Sequence, residues 1–242
     1  SPTGNVFACG SNKKEKALKI FELSTSKELI LLPAVNGEIL DISFSTDGSK
    51  LLAVIEEDGF VTKVQVYDWE KGLLLKSPDL SSNEFVRTAR FAMDDKFIIT
   101  AGKRLSNVGD QNISLWNTIS GSREETFKNT PADINQVLVS NDGASFFAGG
   151  NNLQVWDIST KSIKTTFNAS SAFISTSGDS KKAVICRGKD IVLKDLESGN
   201  DVGVIKNAHQ GMVSKAIFVK DNNYVVSVGK DKDVKLWNTD AF

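Results

Sequence analysis

The chain has 242 residues, 40% hydrophobic and 24% charged, with a formal net charge of -1. That length suits one large domain with a sizeable core. The near-neutral balance excludes the basic field of a nucleic-acid binder or of a protein drawn to an anionic membrane. No apolar run approaches the ~20 residues of a membrane helix, so no direct membrane insertion is expected. The two cysteines, Cys9 and Cys186, lie in apolar strand-like runs. They make neither a disulfide framework nor a zinc site, and both are expected to be small buried side chains in a reducing, intracellular, cytoplasmic setting.

In chain order, short apolar runs recur that end in an aromatic followed by a polar residue. They are Lys19-Ile20-Phe21-Glu22, Val64-Gln65-Val66-Tyr67-Asp68, Ile113-Ser114-Leu115-Trp116-Asn117, Leu153-Gln154-Val155-Trp156-Asp157, Ile191-Val192-Leu193-Lys194-Asp195 and Val234-Lys235-Leu236-Trp237-Asn238. In the fifth run Lys194 takes the place of the aromatic. From Phe21 to Trp237 the anchors are 46, 49, 40, 38 and 43 residues apart. That spacing is the period of a four-stranded propeller blade.

Each period divides alike. In the second, Ile39 to Ser45 alternates as an inner strand, and Thr46-Asp47-Gly48-Ser49 reads as a hairpin turn in which Gly48 can take positive φ. Lys50 to Ile55, Lys63 to Asp68 and Leu73 to Lys76 follow as the second, third and fourth strands. The order returns at Ile134 to Val139 with the turn Asn141-Asp142-Gly143, and at Val213 to Phe218. Gly149-Gly150 is read as part of a hairpin turn. No window carries a 3.6-residue apolar stripe. The expectation is an all-β chain, a single β-propeller domain over 1–242 of about six four-stranded blades, with repeats near 1–33, 34–78, 79–129, 130–168, 169–206 and 207–242. Stacked sheets of this size bury each other's faces.

Two strands are expected to be missing. Val6-Phe7-Ala8-Cys9 matches a second strand, so the first blade lacks its inner one. The last blade has no outer strand after Asn238. Six blades less two strands give 22. The expectation is a fragment whose closing strands are lost upstream or supplied by a partner, as a strand or domain of a larger assembly, with six blades or part of a seven-bladed ring.

On these runs the sequence resembles the WD-repeat family along its length. The best match is the last repeat, with Ala208-His209, Val225-Val226-Ser227-Val228-Gly229-Lys230-Asp231 and Leu236-Trp237-Asn238. The resemblance implies a structural tetrad of His209, Ser227, Asp231 and Trp237, hydrogen-bonded inside one blade. It also implies a non-enzymatic scaffold or adaptor that binds other proteins through loops on the blade faces. Two further resemblances run to narrower families. Residues Val204 to Val228 are similar to the propeller of the exchange factor for the Sar-type GTPase. Val66-Tyr67-Asp68-Trp69-Glu70-Lys71-Gly72 is similar to repeats of large ciliary or assembly scaffolds.

No catalytic constellation is present. The single histidine is taken by the tetrad, and phosphate-loop, dinucleotide and zinc-protease motifs are absent. No cofactor and no metal are expected. Candidate binding residues sit between second and third strands, on the rim shared with the loops between blades. They are Lys13 and Lys14, then Glu56, Glu57 and Asp58, then Lys103, Arg104, Leu105 and Val108 in the longest such loop, then Arg187 and Lys189. The rim is mixed in charge, with one acidic sector between two basic ones, a pattern that can steer and orient a partner.

Overall fold

The computed structural model describes all residues except 12–16, 34–35, 60, 82–83, 105–111, 132, 151, 168–173, 220–221 and 242. The described residues form 22 strands and one terminal 3-10 turn, arranged in six antiparallel sheets. The fold is all-β and of the β-propeller class, each sheet being one blade. The chain divides into two compact units, Ser1–Val137 and Leu138–Phe242.

In the first unit, sheet 1 orders β1 (Val6–Gly10), β2 (Leu18–Glu22) and β3 (Glu28–Leu31). Sheet 2 orders β4 (Glu38–Phe44), β5 (Lys50–Glu57), β6 (Val61–Asp68) and β7 (Leu73–Leu74). Sheet 3 orders β8 (Glu84–Ala92), β9 (Phe97–Arg104), β10 (Ile113–Asn117) and β11 (Arg123–Thr126). Sheet 4, all of which but the start of its first strand belongs to the second unit, orders β12 (Ile134–Val139), β13 (Ser145–Gly150), β14 (Leu153–Asp157) and β15 (Ser162–Phe167). In the second unit, sheet 5 orders β16 (Ile174–Thr176), β17 (Lys182–Arg187), β18 (Asp190–Asp195) and β19 (Asp201–Ile205). Sheet 6 orders β20 (Val213–Val219), β21 (Tyr224–Gly229) and β22 (Val234–Asn238).

The two three-stranded sheets are the first and the last, as the repeat pattern implies. Several boundaries move, and Glu56, Glu57 and Arg187 close strands β5 and β17 rather than standing in loops. Lys103 and Arg104 end strand β9 rather than standing in a loop, because they pair with Phe85 and Glu84. Gly149 and Gly150 belong to strand β13, where Gly149 pairs with Leu153.

Alternation of side chains gives each sheet two faces. In sheet 2, Leu51, Ala53, Ile55 and Tyr67 form a core with Leu18 and Ile20 of sheet 1. The intervening Leu52, Val54, Val64 and Val66 form the next core with Val86, Ala89, Phe91, Ile98 and Trp116 of sheet 3. The second unit repeats the scheme. Leu153 and Val155 meet Ala183, Ile185 and Val192, while Val184, Cys186, Ile191 and Leu193 meet Ala216 and Val225. Because both faces are apolar, a one-residue slip in register would keep a strand buried but break its fit with both neighbours.

The hairpin turns repeat one polar device. The hydroxyls of Ser45, Ser140 and Ser177 donate to the carboxylates of Asp47, Asp142 and Asp179 at 2.7, 2.5 and 2.6 Å. Each hydroxyl also accepts the amide five residues on, from Lys50, Ser145 and Lys182. These bonds lower the pKa of all three carboxyls, that of Asp47 to about 2. The residue after each blade anchor caps the following turn in the same spirit. Asp68, Asn117, Asp157 and Asp195 each accept backbone amides two or three residues on. This explains physically why a polar residue follows the aromatic.

Cys186 is buried, and burial pushes its thiol up to about 11. Cys9 corrects the expectation of two buried thiols, for it is exposed. Val6 and Ala8 pack towards sheet 2, so alternation turns Cys9 to the opposite face of sheet 1.

Truncating Leu52→Ala, fully buried between sheets 2 and 3, is expected to cost about 2–5 kcal/mol. Leu73→Ala, on an exposed edge strand, is expected to stay within about 0.5 kcal/mol. Urea unfolding of both variants beside the unaltered protein measures the difference.

Candidate functional site

The last blade brings His209, Ser227, Asp231 and Trp237 together. His209 lies just before β20, Ser227 in β21, Asp231 in the turn after β21, and Trp237 in β22. The imidazole Nδ1 is 2.9 and 3.0 Å from the two carboxylate oxygens of Asp231. Its Nε2 is 2.8 Å from the Ser227 hydroxyl, and the Trp237 indole donates to that same oxygen at 2.8 Å. With Asp231 accepting, Nδ1 carries the proton and Nε2 accepts from the serine. His209 is only 1% exposed and Ser227 is fully buried, so no substrate atom reaches the ring. The arrangement suits bracing rather than proton transfer.

Desolvation works against the Asp231 carboxylate, but hydrogen bonds from the His209 side chain and from the Gln210 and Asp233 amides outweigh it and hold the group at about 2. Two members of this site escape sequence reasoning. The Gln210 amide donates to Asp231 at 2.8 Å. Gly229 makes room for the pair: a Cβ there would lie 2.5 Å from both the Asp231 oxygen and His209 Nδ1. A glycine in an apolar strand run signals such close approach, but only the folded partners show what approaches.

The other blades solve the same problem with different residues. In sheet 3 the Trp116 indole reaches the Thr100 hydroxyl at 2.9 Å. This is the Trp237–Ser227 geometry, since each anchor pairs with a residue two before its acceptor. Tyr67 and Trp156 turn instead to the glutamine two residues back, Gln65 and Gln154, at 2.6 and 3.2 Å. Lys194 replaces the aromatic altogether. Its buried ammonium contacts Asp201 at 2.6 Å, donates to the Gly199 carbonyl and lies over the Phe167 ring. Each buried polar tip thus has a partner, as burial requires.

The candidate rim residues fall unevenly. Glu56 and Glu57 end β5 and Asp58 opens the turn that follows; Glu57 pairs with Lys63 at 2.8 Å. Lys103 is exposed on β9. Lys13, Lys14, Leu105 and Val108 lie outside the described residues, as does the side chain of Arg104. Arg187 and Lys189 flank Gly188 at the tip of the β17–β18 hairpin, and both are exposed. Gly188 turns this tip with φ of +63°, a conformation natural to glycine. The tip is tied to the His209 segment: the His209 amide donates to the Lys189 carbonyl, the Val213 amide to Gly188, and the Asn207 amide to the Asp190 carboxylate. The polar lock of sheet 6 therefore braces the hairpin tip of sheet 5. Among the described residues, no group of three or more His, Cys, Asp or Glu is placed to hold a metal, and no helix is long and apolar enough to cross a membrane.

A family model described as "WD domain, G-beta repeat" matches residues 200–238, the segment that holds the whole lock. Three relatives extend the likeness along the chain. The Cilia- and flagella-associated protein 52 of Chlamydomonas reinhardtii is 23% identical over 97% of this chain and 37% of its own length. The Autophagy-related protein 16 of Arabidopsis thaliana is 22% identical over 98% of this chain and 45% of its own. The SEC12-like protein 2 of Arabidopsis thaliana is 26% identical over 83% of this chain and 51% of its own. The chain thus spans about half or less of the relatives it matches. With six blade sheets and one matched WD repeat, the chain is similar to WD-repeat β-propellers.

Ser227→Ala removes the oxygen shared by His209 and Trp237, at an expected cost of about 1–3 kcal/mol for the donors and acceptors stranded. Combined with Trp237→Phe the losses should be less than additive, because both changes break one bond; urea unfolding of the four-member cycle checks this. Gly229→Ala should disrupt the His209–Asp231 pair, seen as loss of the slowly exchanging imidazole proton by NMR. The depressed carboxyl of Asp231 gives stability present above about pH 4 and lost as pH falls towards 2. Asp231→Asn should remove that share of the acid loss while the turn carboxyls keep theirs, so stability falls less steeply across the window in denaturation curves at successive pH values.

Proposed function

We propose that this protein is a non-enzymatic interaction scaffold of the WD-repeat type, binding partner proteins through charged turns on the blade rims. The observation that carries this reading is the braced β17–β18 tip. Lys189, and Arg187 with its guanidinium 3.4 Å from Asp201, stand on a hairpin whose backbone is bonded to the locked segment of the next blade. A charge held on a rigid support loses little conformational entropy when a partner docks. A basic tip on one sheet and the acidic Glu56–Asp58 sector on another give charges of both signs, which supports oriented docking. The lock's burial supports a bracing rather than a catalytic role for the single histidine. Two unpaired thiols suit a reducing intracellular compartment.

A second reading is an exchange factor for a Sar-type GTPase, supported by the resemblance of Val204 to Val228 and by the likeness to a SEC12-like protein. The likeness to a cilia- and flagella-associated protein supports a place in a larger assembly.

Arg187→Glu with Lys189→Glu should abolish partner capture in affinity purification while stability stays within about 0.5 kcal/mol. Capture unchanged by the double reversal would remove this tip as the docking site. In a nucleotide-release assay with a Sar-type GTPase, the scaffold reading predicts the intrinsic release rate; acceleration would establish the exchange reading.

A further inference from the structure

We propose that the rim where sheet 5 meets sheet 6 takes an acidic protein segment with one apolar side chain among its carboxylates. Met212 is the apolar contact, and Arg187, Lys189 and Lys206 are the cations around it. This rests on the docking role given above to the β17–β18 tip and names the chemistry of its partner. Met212 is held between two hairpin tips. The Val213 amide donates to the Gly188 carbonyl at 2.7 Å on one side, and the Lys230 amide donates to the Met212 carbonyl at 2.8 Å on the other. Both flanking sheets are in place around it, yet Met212 is 55% exposed. The residues at the same register in sheets 2 and 3, Glu38 and Phe85, are half-buried. An unbranched thioether on a fixed backbone moulds itself readily to an apolar side chain laid against it.

The charges beside Met212 set the sign of the partner. Arg187 and Lys189 flank Gly188 and are exposed. Lys206, its side chain 75% exposed, precedes Asn207, whose amide is bonded to Asp190 of the same tip. The nearby carboxylates are engaged within the chain. Asp190 accepts the Asn207 amide at 2.8 Å. One oxygen of Asp201 is gripped by the buried Lys194 ammonium at 2.6 Å, and the other reaches Arg187 at 3.4 Å. That long contact leaves the planar guanidinium of Arg187 donors with which to grip a further carboxylate. Cations placed in this way draw and orient a negative segment. An apolar side chain covering Met212 adds burial that charge alone does not supply.

The chain has two methionines, Met212 and Met93 in the β8–β9 turn of sheet 3, so a methyl-labelled sample carries its own reference. The probe is a synthetic peptide with one leucine between runs of glutamate. In an NMR titration at low salt it is expected to shift the Met212 methyl signal to saturation and leave that of Met93 in place. Lysine in place of the glutamates should abolish the shift, and alanine in place of the leucine should weaken binding several-fold. Arg187→Glu with Lys189→Glu should also abolish it, while the slowly exchanging His209 imidazole proton persists and reports an intact fold at the site. An unmoved Met212 signal, or equal shifts with the glutamate and lysine peptides, would overturn the acidic partner. If the charge reversal still abolishes partner capture in that case, the docking tip stands and only the partner's chemistry falls. Capture that survives the reversal removes the tip, and this proposal with it.

Discussion

Every blade here depends on being covered by another. A four-stranded sheet with strands of about five residues buries too little by itself to offset the ordering of its backbone. Stacking supplies the missing burial by using both faces of the central strands. Central strands such as β5 and β17 are accordingly near-continuous apolar runs. The outer strands β3, β7 and β19 expose Leu29, Leu31, Leu73, Leu74 and Val202. Such an architecture tolerates wide variation at any one position, provided that buried polar tips are met and register is kept.

That tolerance explains why the fold was legible from sequence. The apolar run ending in an aromatic and a polar residue marks the third strand, and its period marks the blade. Even Lys194 keeps the pattern, because Asp195 still caps the turn. Local bonding was less legible. Nothing in the sequence says that Trp156 turns to Gln154 while Trp116 crosses to Thr100, since either acceptor lies within reach of an indole. The exposure of Cys9 was missed because an apolar run reads alike whether or not a neighbouring sheet covers it. Gly229 ends β21, and only the nearness of His209 and Asp231 shows why a side chain cannot stand there. Lys103 and Arg104 read as part of the longest rim loop, yet they are strand residues with pairing partners.

The polar lock and the exposed charges belong to one chain of cause. Ser227 and Trp237 fix the imidazole, the imidazole fixes Asp231, and Asp231 holds the Gln210 amide. The segment so fixed then grips the β17–β18 tip through the Lys189 and Gly188 carbonyls. Buried hydrogen bonds of this kind are valuable for the single geometry they impose as much as for net stability. A rim held in one geometry presents its charges at constant spacing, which a binding surface needs and a solvated loop does not provide.

The most direct test of that coupling is amide hydrogen exchange on Ser227→Ala beside the unaltered protein. The account predicts faster exchange at residues 187–190 and 207–213, with strands β5, β6, β9 and β10 unchanged. No change at 187–190, or an equal rise across every sheet, would show that the lock does not brace the tip and would contradict the account.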